Sequence, residues 1–367
     1  MPTLLILGGY GGAGLPIARL LTQQTTSNVI LAGRHVDRAE EAARQLNRTF
    51  GTNRVSACFA DAAHPDTLRQ ALAGVDLLIV ASTTTDYVKQ VAEAALEAGV
   101  DYLDIHYPPQ VVATLQTLAP KIEAAGRCFV TQGGFHPGLL APLIRSAAPE
   151  FDRYDIAQVG MLMNIVGYES LDSLDELVQS FAHYDAEVFT HGMWKKASYA
   201  LQKKFDFGES LGKKTCVPLS FPEIKPLPAE LQVQELGTYV AGFNSFLDYV
   251  LTPFIIMTSG LKSAWLNRLW SKMMRWGLDT FSKPPFGIWL QLEAMGTLQQ
   301  QPKTVHIQLH HEDAYAMTAI PTVAFLFQYL DGSFRQNGLS LMGLAADPHR
   351  LLHDVERLGT QVIRYVI

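Results

Sequence analysis

The chain has 367 residues, 48% of them apolar and 17% charged, with a formal net charge of −6. That length exceeds a single ordinary core and predicts two domains, and the negative balance excludes a global basic field of the kind that draws nucleic acid. Three widely spaced cysteines, Cys58, Cys128 and Cys216, form neither a CxxC pair nor a zinc-like set. They read as small buried hydrophobes, and no metal site is expected. No basic leader precedes Thr3-Leu-Leu-Ile-Leu7 and no run reaches the ~18 uncharged apolar residues of a membrane span. The expectation is a cytoplasmic protein.

Residues 4–7, 29–32, 55–60, 77–81, 102–105 and 128–131 are short aliphatic runs bounded by Gly, Asp or Asn, and predict buried strands. Amphipathic stretches at 15–23, 38–50, 65–73, 86–98 and 109–125 predict helices between them, the last opening on Pro108-Pro109. This alternation predicts a parallel, doubly wound Rossmann sheet. After Gly138 the rhythm changes. Partial alternation at 156–164, 186–190, 214–219, 286–294 and 304–310, with a hairpin around 296–303, predicts an antiparallel sheet in an α+β second domain. A long apolar helix follows at 314–330, then a helix at 348–359 capped by Asp347, and a short strand at 361–366. The expected division is 1–135, 136–312, and a segment 313–367 returning to the first domain.

Gly8-Gly9-Tyr10-Gly11-Gly12-Ala13-Gly14 follows the first strand and opens the first helix, and from Gly9 it reads G-x-G-x-x-G. In that context the glycines serve a tight turn, close approach of a pyrophosphate, and close helix–strand packing, while the helix N-terminus offers free N–H groups to phosphate. The second strand ends Leu31-Ala-Gly-Arg34-His35, with Arg38 one turn on and no carboxylate. A guanidinium there can pair bidentately with a 2′-phosphate, so NADP(H) is expected over NAD(H). Asp61 at the third strand end serves either on the adenine side or as a cap for the helix after His64-Pro65. Ser82 and Thr83, with Thr84, serve either the nicotinamide ribose or the cap of the next helix.

Two later strand ends carry groups able to move a proton. Asp104, His106 and Tyr107 close the fifth strand, and His136 lies in the glycine-rich loop Thr131-Gln-Gly-Gly-Phe-His-Pro-Gly138. His136, Tyr107 and His106 are the candidate proton donors or acceptors for a hydride transfer; a structural role for each stands beside that reading, as does a capping role for Asp104. His306, His310 and His311 lack metal-like spacing. Residues 243–276 interleave Trp265, Trp270 and Trp276 with Lys262, Arg268, Lys272 and Arg275. This pattern fits a peripheral membrane contact or a lipid-substrate lid, and, as the blander reading, a subunit interface or a core-packing helix.

These residues resemble the saccharopine dehydrogenase-like reductase family. The resemblance rests on the Gly8–Gly14 loop, Leu31-Ala-Gly-Arg34, Gly74-Val-Asp-Leu-Leu-Ile79, Ala98-Gly-Val-Asp-Tyr-Leu-Asp104, Gly134-Phe-His-Pro-Gly138, Thr318-Ala-Ile-Pro321 and Leu330-Asp-Gly332. It implies an NADP-binding Rossmann domain, a middle α+β domain that holds a small-molecule substrate and mediates a homodimer, and a returning C-terminal segment. Saccharopine-forming relatives carry an acidic residue where this chain has His136, and no cationic set for an amino-dicarboxylate is evident. The apolar middle is closer to the family's trans-acting enoyl reductases. The expected function is therefore NADP(H)-dependent hydride transfer to or from a C=C, C=N or C=O group of a hydrophobic or lipid-like substrate. The alternatives are a catalytically silent membrane-associated nucleotide-binding scaffold and an opine-type or saccharopine amino acid dehydrogenase.

Overall fold

The computed structural model describes residues 1–165, 174–175, 178, 186–258, 261 and 263–367. The chain forms two compact units, Met1–Pro142 with Tyr315–Leu358, and Leu143–Ala314 with Gly359–Ile367.

The first unit is built on strands β1 (Thr3–Leu7), β2 (Asn28–Gly33), β3 (Val55–Phe59), β4 (Leu77–Val80), β5 (Asp101–Asp104), β6 (Cys128–Thr131) and, far along the chain, β15 (Gly338–Leu341). They form a parallel sheet of order β15-β6-β5-β4-β1-β2-β3. Leu4 to Leu7 and Leu77 to Val80 are buried throughout, as strands covered on both faces must be. Helices α1 (Gly14–Gln24), α2 (Val36–Phe50), α3 (Pro65–Ala71), α4 (Val88–Ala98) and α5 (Pro109–Ala124) connect them. α2 stops at Gly51, whose φ of 59° only glycine takes without cost, and α5 opens on a proline. The strand order reverses between β4 and β1, which opens a crevice beyond the carboxyl ends of those two strands. Beside it, Tyr102 and Phe129 stack at 5.0 Å and tie β5 to β6 in the core.

The second unit carries β7 (Arg153–Asn164), β8 (Ala186–Thr190), β9 (Met193–Ala197), β10 (Lys203–Asp206), β11 (Lys213–Pro218), β12 (Glu235–Ala241), β13 (Gly287–Leu298), β14 (Gln301–His311) and β16 (Gln361–Val366). The main path runs β10-β11-β12-β7-β13-β14-β16, with β8 and β9 branching from β12. Its pairings are antiparallel apart from β12 with β7. The overall class is α/β, a Rossmann-type parallel sheet followed by a mostly antiparallel one.

Several elements differ from the sequence expectation, each for a local reason. The hairpin turn is tighter than 296–303: β13 and β14 run to Leu298 and Gln301, and Gln299 and Gln300 turn the chain at φ 51° and 65° without the usual Asn or Gly. β12 escapes pattern reading because Gly237 interrupts it; the ring of Tyr239 fills the space where a Cβ would lie. The segment 313–367 does not return whole to the first domain. Its last strand, β16, pairs antiparallel with β14 and closes that open edge. His306 and His310 are stacking partners, of Tyr365 at 4.6 Å and Trp289 at 4.4 Å.

Within 243–276, residues 259, 260 and 262 lie outside the described residues. Helix Ala264–Phe281 packs Met274 and Leu278 against Leu247, Leu251 and Ile255, so part of the segment is core, as an amphipathic helix demands. Its other face leaves Trp265 73% and Trp276 53% exposed. Among the described residues no helix is long and apolar enough to cross a membrane.

Candidate active site

The turn after β1 is shaped by contacts that exclude side chains. A Cβ on Gly14 would lie 2.1 Å from the Gly8 carbonyl oxygen, and one on Gly9 2.9 Å from that of Ile6. Gly8, at φ 85°, packs against Ala81 and Ser82 at the end of β4. Gly11 meets only the Gly8 oxygen, so its outer side is open. The amides of Gly12 and Ala13 donate to no carbonyl among the described residues; they are the unsatisfied donors of a helix start. The ring of Tyr315, from helix Ala314–Leu330, covers Gly12.

Tyr10 links this turn to the end of β2. Its ring lies on Gly33, its hydroxyl accepts the His35 N–H at 2.9 Å, and the Arg38 guanidinium sits 5.3 Å from its ring centre. Arg34 is exposed and forms no ion pair among the described residues, yet its charge reaches Asp61. Asp61 shapes its own turn, accepting from the Ala63 N–H at 3.0 Å and facing His64 at 3.1 Å; that N–H, chiefly, holds its carboxyl below the usual range. Ser82 and Thr84 share a 2.9 Å hydroxyl contact, and neither they nor Thr83 caps the following helix.

At the other side of the crevice Asp104 is fully buried. Its Oδ1 accepts the His106 N–H at 3.0 Å, the Thr131 hydroxyl at 2.8 Å and the Gln132 N–H at 3.2 Å; its Oδ2 accepts the Tyr102 hydroxyl at 2.9 Å. Its main-chain oxygen takes the Gly133 N–H at 2.7 Å. Asp104 thus orients the two strand ends. Thr322, on helix Ala314–Leu330, donates to the Gly133 oxygen at 2.5 Å and holds the same loop from beneath.

A comparison with protein families matches residues 4–130 to the saccharopine dehydrogenase NADP binding domain. NADP(H) is the cofactor of this domain, which marks the chain as an NADP-dependent oxidoreductase. No curated protein sequence matches the chain. Among solved structures the chain is similar to apo saccharopine dehydrogenase (L-Glu forming) from Saccharomyces cerevisiae, at 15% identity over 100% of both chains with a TM-score of 0.71. It is also similar to DAP dehydrogenase of C. glutamicum in complex with DAP, at 13% identity over 97% of this chain and 98% of that one, with a TM-score of 0.49. At 15% identity the yeast likeness establishes the fold across the whole chain.

The residues of the NADP binding domain fit a dinucleotide. A turn that leaves no room for a Cβ on Gly9 or Gly14, amides at a helix start that meet no carbonyl among the described residues, and an arginine without an ion pair among them are the groups that the phosphates of such a ligand need. Beyond the matched range, His136 is half-buried and the packing around its ring pushes its pKa down to about 3. Burial likewise lowers the pKa of His106, against the opposing pull of Asp104. Both imidazoles are neutral at physiological pH. Sequence reasoning missed Gln132, a buried amide in the β6 loop, and Tyr315, some 300 residues from the turn it covers. A long polar side chain following a strand in a glycine-rich loop is the signal for the first; the second has no local signal.

Because Asp104 satisfies four side-chain or main-chain donors with one carboxylate, D104A leaves buried donors unpaired and should cost about 3 kcal/mol of stability. D104N, which keeps an acceptor oxygen, should cost less. Denaturant unfolding of the full chain measures both, and equal stabilities for wild type and D104A would remove Asp104's organising role.

Proposed function

We propose that this chain transfers a hydride between NADP(H) and a C=C, C=N or C=O group of a hydrophobic or lipid-like substrate, acting, as the resemblance implies, as a homodimer. The reading is carried by the character of the reacting end: residues 81–87, 104–110 and 131–138 contain no Lys or Arg. A dicarboxylate amino acid has no counter-charge there, whereas an uncharged group meets hydroxyls, neutral imidazoles and Phe135. In this reading the Gly8, Gly9, Tyr10, Gly11, Gly12, Ala13, Gly14 backbone holds the pyrophosphate and Arg34 takes the 2′-phosphate. Arg38, seated on Tyr10, closes that side; Asp61 steadies the turn beside it; and Ser82 and Thr83 meet the nicotinamide-side ribose. Bound NADPH supplies the hydride, and the chain supplies the proton.

Of the three candidates Tyr107 is assigned the proton. A neutral imidazole is a poor acid, and burial keeps His106 and His136 neutral. His136 is assigned to hydrogen-bond and orient the substrate's polar group, and His106 to hydrogen-bond at the nicotinamide end of the crevice. Y107F should lower kcat about 10²-fold or more with NADPH affinity unchanged. Since His136 titrates at about 3 and His106 is lowered too, kcat/KM should show no imidazole limb between pH 5 and 8; a limb near 6.5 in stopped-flow NADPH oxidation would contradict the assignment.

At the other end, R34E should weaken NADPH binding roughly 10- to 100-fold, the worth of a charge-assisted pair, and leave NADH binding nearly unchanged. Equal losses for both nucleotides would refute Arg34's role. NADPH binding without turnover on any imine, ketone or enoyl substrate would leave the nucleotide-binding scaffold as the reading.

The exposed face of helix Ala264–Phe281 is assigned to an anionic membrane surface. Trp265, Lys272 and Trp276 recur at helical spacing on one side, and Tyr249, Met257 and Leu261 are exposed nearby. Flotation with vesicles containing phosphatidylserine should carry the protein upward, and W265S/W276S should abolish it; no flotation of wild type would overturn the membrane assignment.

A further inference from the structure

Two polar side chains in the first unit are buried without a hydrogen-bond partner among the described residues. Gln132 is 1% exposed, and neither its Oε1 nor its Nε2 is paired; His106 is 5% exposed, and its Nε2 is unpaired. Burying a primary amide with both ends unsatisfied is unfavourable. Gln132 also has φ 62°, a conformation that non-glycine residues rarely adopt and that here sits in the loop after β6. Structural roles do not explain such a residue, since an apolar side chain there would be more stable.

The two side chains start side by side. The N–H groups of both residues donate to the same oxygen, Asp104 Oδ1, at 3.0 and 3.2 Å. They stand at the carboxyl ends of β5 and β6, while Arg34 stands at the end of β2 on the far side of the β4–β1 switch. A dinucleotide with its adenosine half toward β2 and β3 extends its other half toward β5 and β6, because the fold is two mononucleotide-binding halves joined at that switch.

We propose that Gln132, with His106 beside it, forms the polar slot that receives the carboxamide of the nicotinamide ring. This rests on the NADP(H) reading above. The chemistry matches: a primary amide both donates and accepts, and so does the carboxamide, so the two pair through complementary N–H and C=O groups. A neutral His106 adds one further partner at Nε2. Neither side chain carries a formal charge, and the Asp104 carboxylate beneath them would repel an anion, which suits an uncharged ligand group and not a carboxylate or phosphate.

The test is binding to the full chain, by titration calorimetry, of three probes: NADP⁺, its 3-acetylpyridine analogue (a methyl ketone in place of the amide), and 2′,5′-ADP, which lacks the nicotinamide half. Wild type should bind NADP⁺ about tenfold more tightly than the analogue, the worth of one good hydrogen bond. Q132M, similar in length and apolar, should bind NADP⁺ and the analogue alike, bind 2′,5′-ADP as wild type does, and unfold at no lower temperature. A Q132M protein that keeps the full preference for NADP⁺ overturns the proposal and leaves Gln132 holding a buried water. Equal affinity of wild type for NADP⁺ and the analogue overturns it without any variant. Failure of wild type to bind 2′,5′-ADP strikes the cofactor reading itself, and this inference with it.

Discussion

A single buried carboxylate sets the geometry of the reacting end. Asp104 draws together the hydroxyls of Tyr102 and Thr131 and the main-chain amides of His106 and Gln132. A carboxylate removed from water persists only when its lone pairs are filled by donors, so the ends of β5 and β6 are bound to one another by that requirement. Everything proposed for this end hangs from it: the positions of His106 and Tyr107 just past β5, and the loop that carries Gln132 and His136 past β6. Helix Ala314–Leu330 secures the arrangement from a distant part of the sequence, through Thr322 on Gly133 and Tyr315 over Gly12.

The opposite end of the crevice works by exclusion and charge. The glycine turn is so close that Gly14 and Gly8 leave no space for a Cβ between them, which keeps the backbone amides within reach of a phosphate. Tyr10 then fastens that turn to the end of β2 through Gly33 and His35, and gives Arg38 a surface to rest on. An exposed arginine and a tightly wound backbone thus stand on one side of the switch; on the other the Asp104 carboxylate is taken up by its own donors, and Gln132, His106 and Tyr107 beside it are uncharged. That polarity matches a ligand that is anionic at one end and neutral at the other.

The first sheet was legible in the sequence because parallel strands buried on both faces read as unbroken apolar runs, as Leu4 to Leu7 and Leu77 to Val80 do. The glycine loop and Arg34 were legible because strand, turn and helix are adjacent along the chain. β15 was hidden because its partner β6 lies some 200 residues earlier and four half-buried residues carry little periodicity. β12 was hidden by Gly237, and β9 and β10 by the lysines that make them look like loop. The sequence shows Asp104 as a cap or an orienting group, without its four donors, since two of those come from the end of β6 and the loop after it. Gln132 was passed over for a similar reason. Its lack of partners is a property of the packed interior, and no spacing rule expresses it.

The central claim is that one dinucleotide spans this crevice, with its 2′-phosphate at Arg34 and its nicotinamide over the strand ends that Asp104 holds. A crystal structure of the chain with NADP⁺ tests it most directly. The account predicts a phosphate oxygen within hydrogen-bonding distance of the Arg34 guanidinium and the pyridine ring beyond β5 and β6, near Tyr107 and Gln132. Density showing the nucleotide reversed, or its ribose phosphate in solvent away from Arg34, would contradict it.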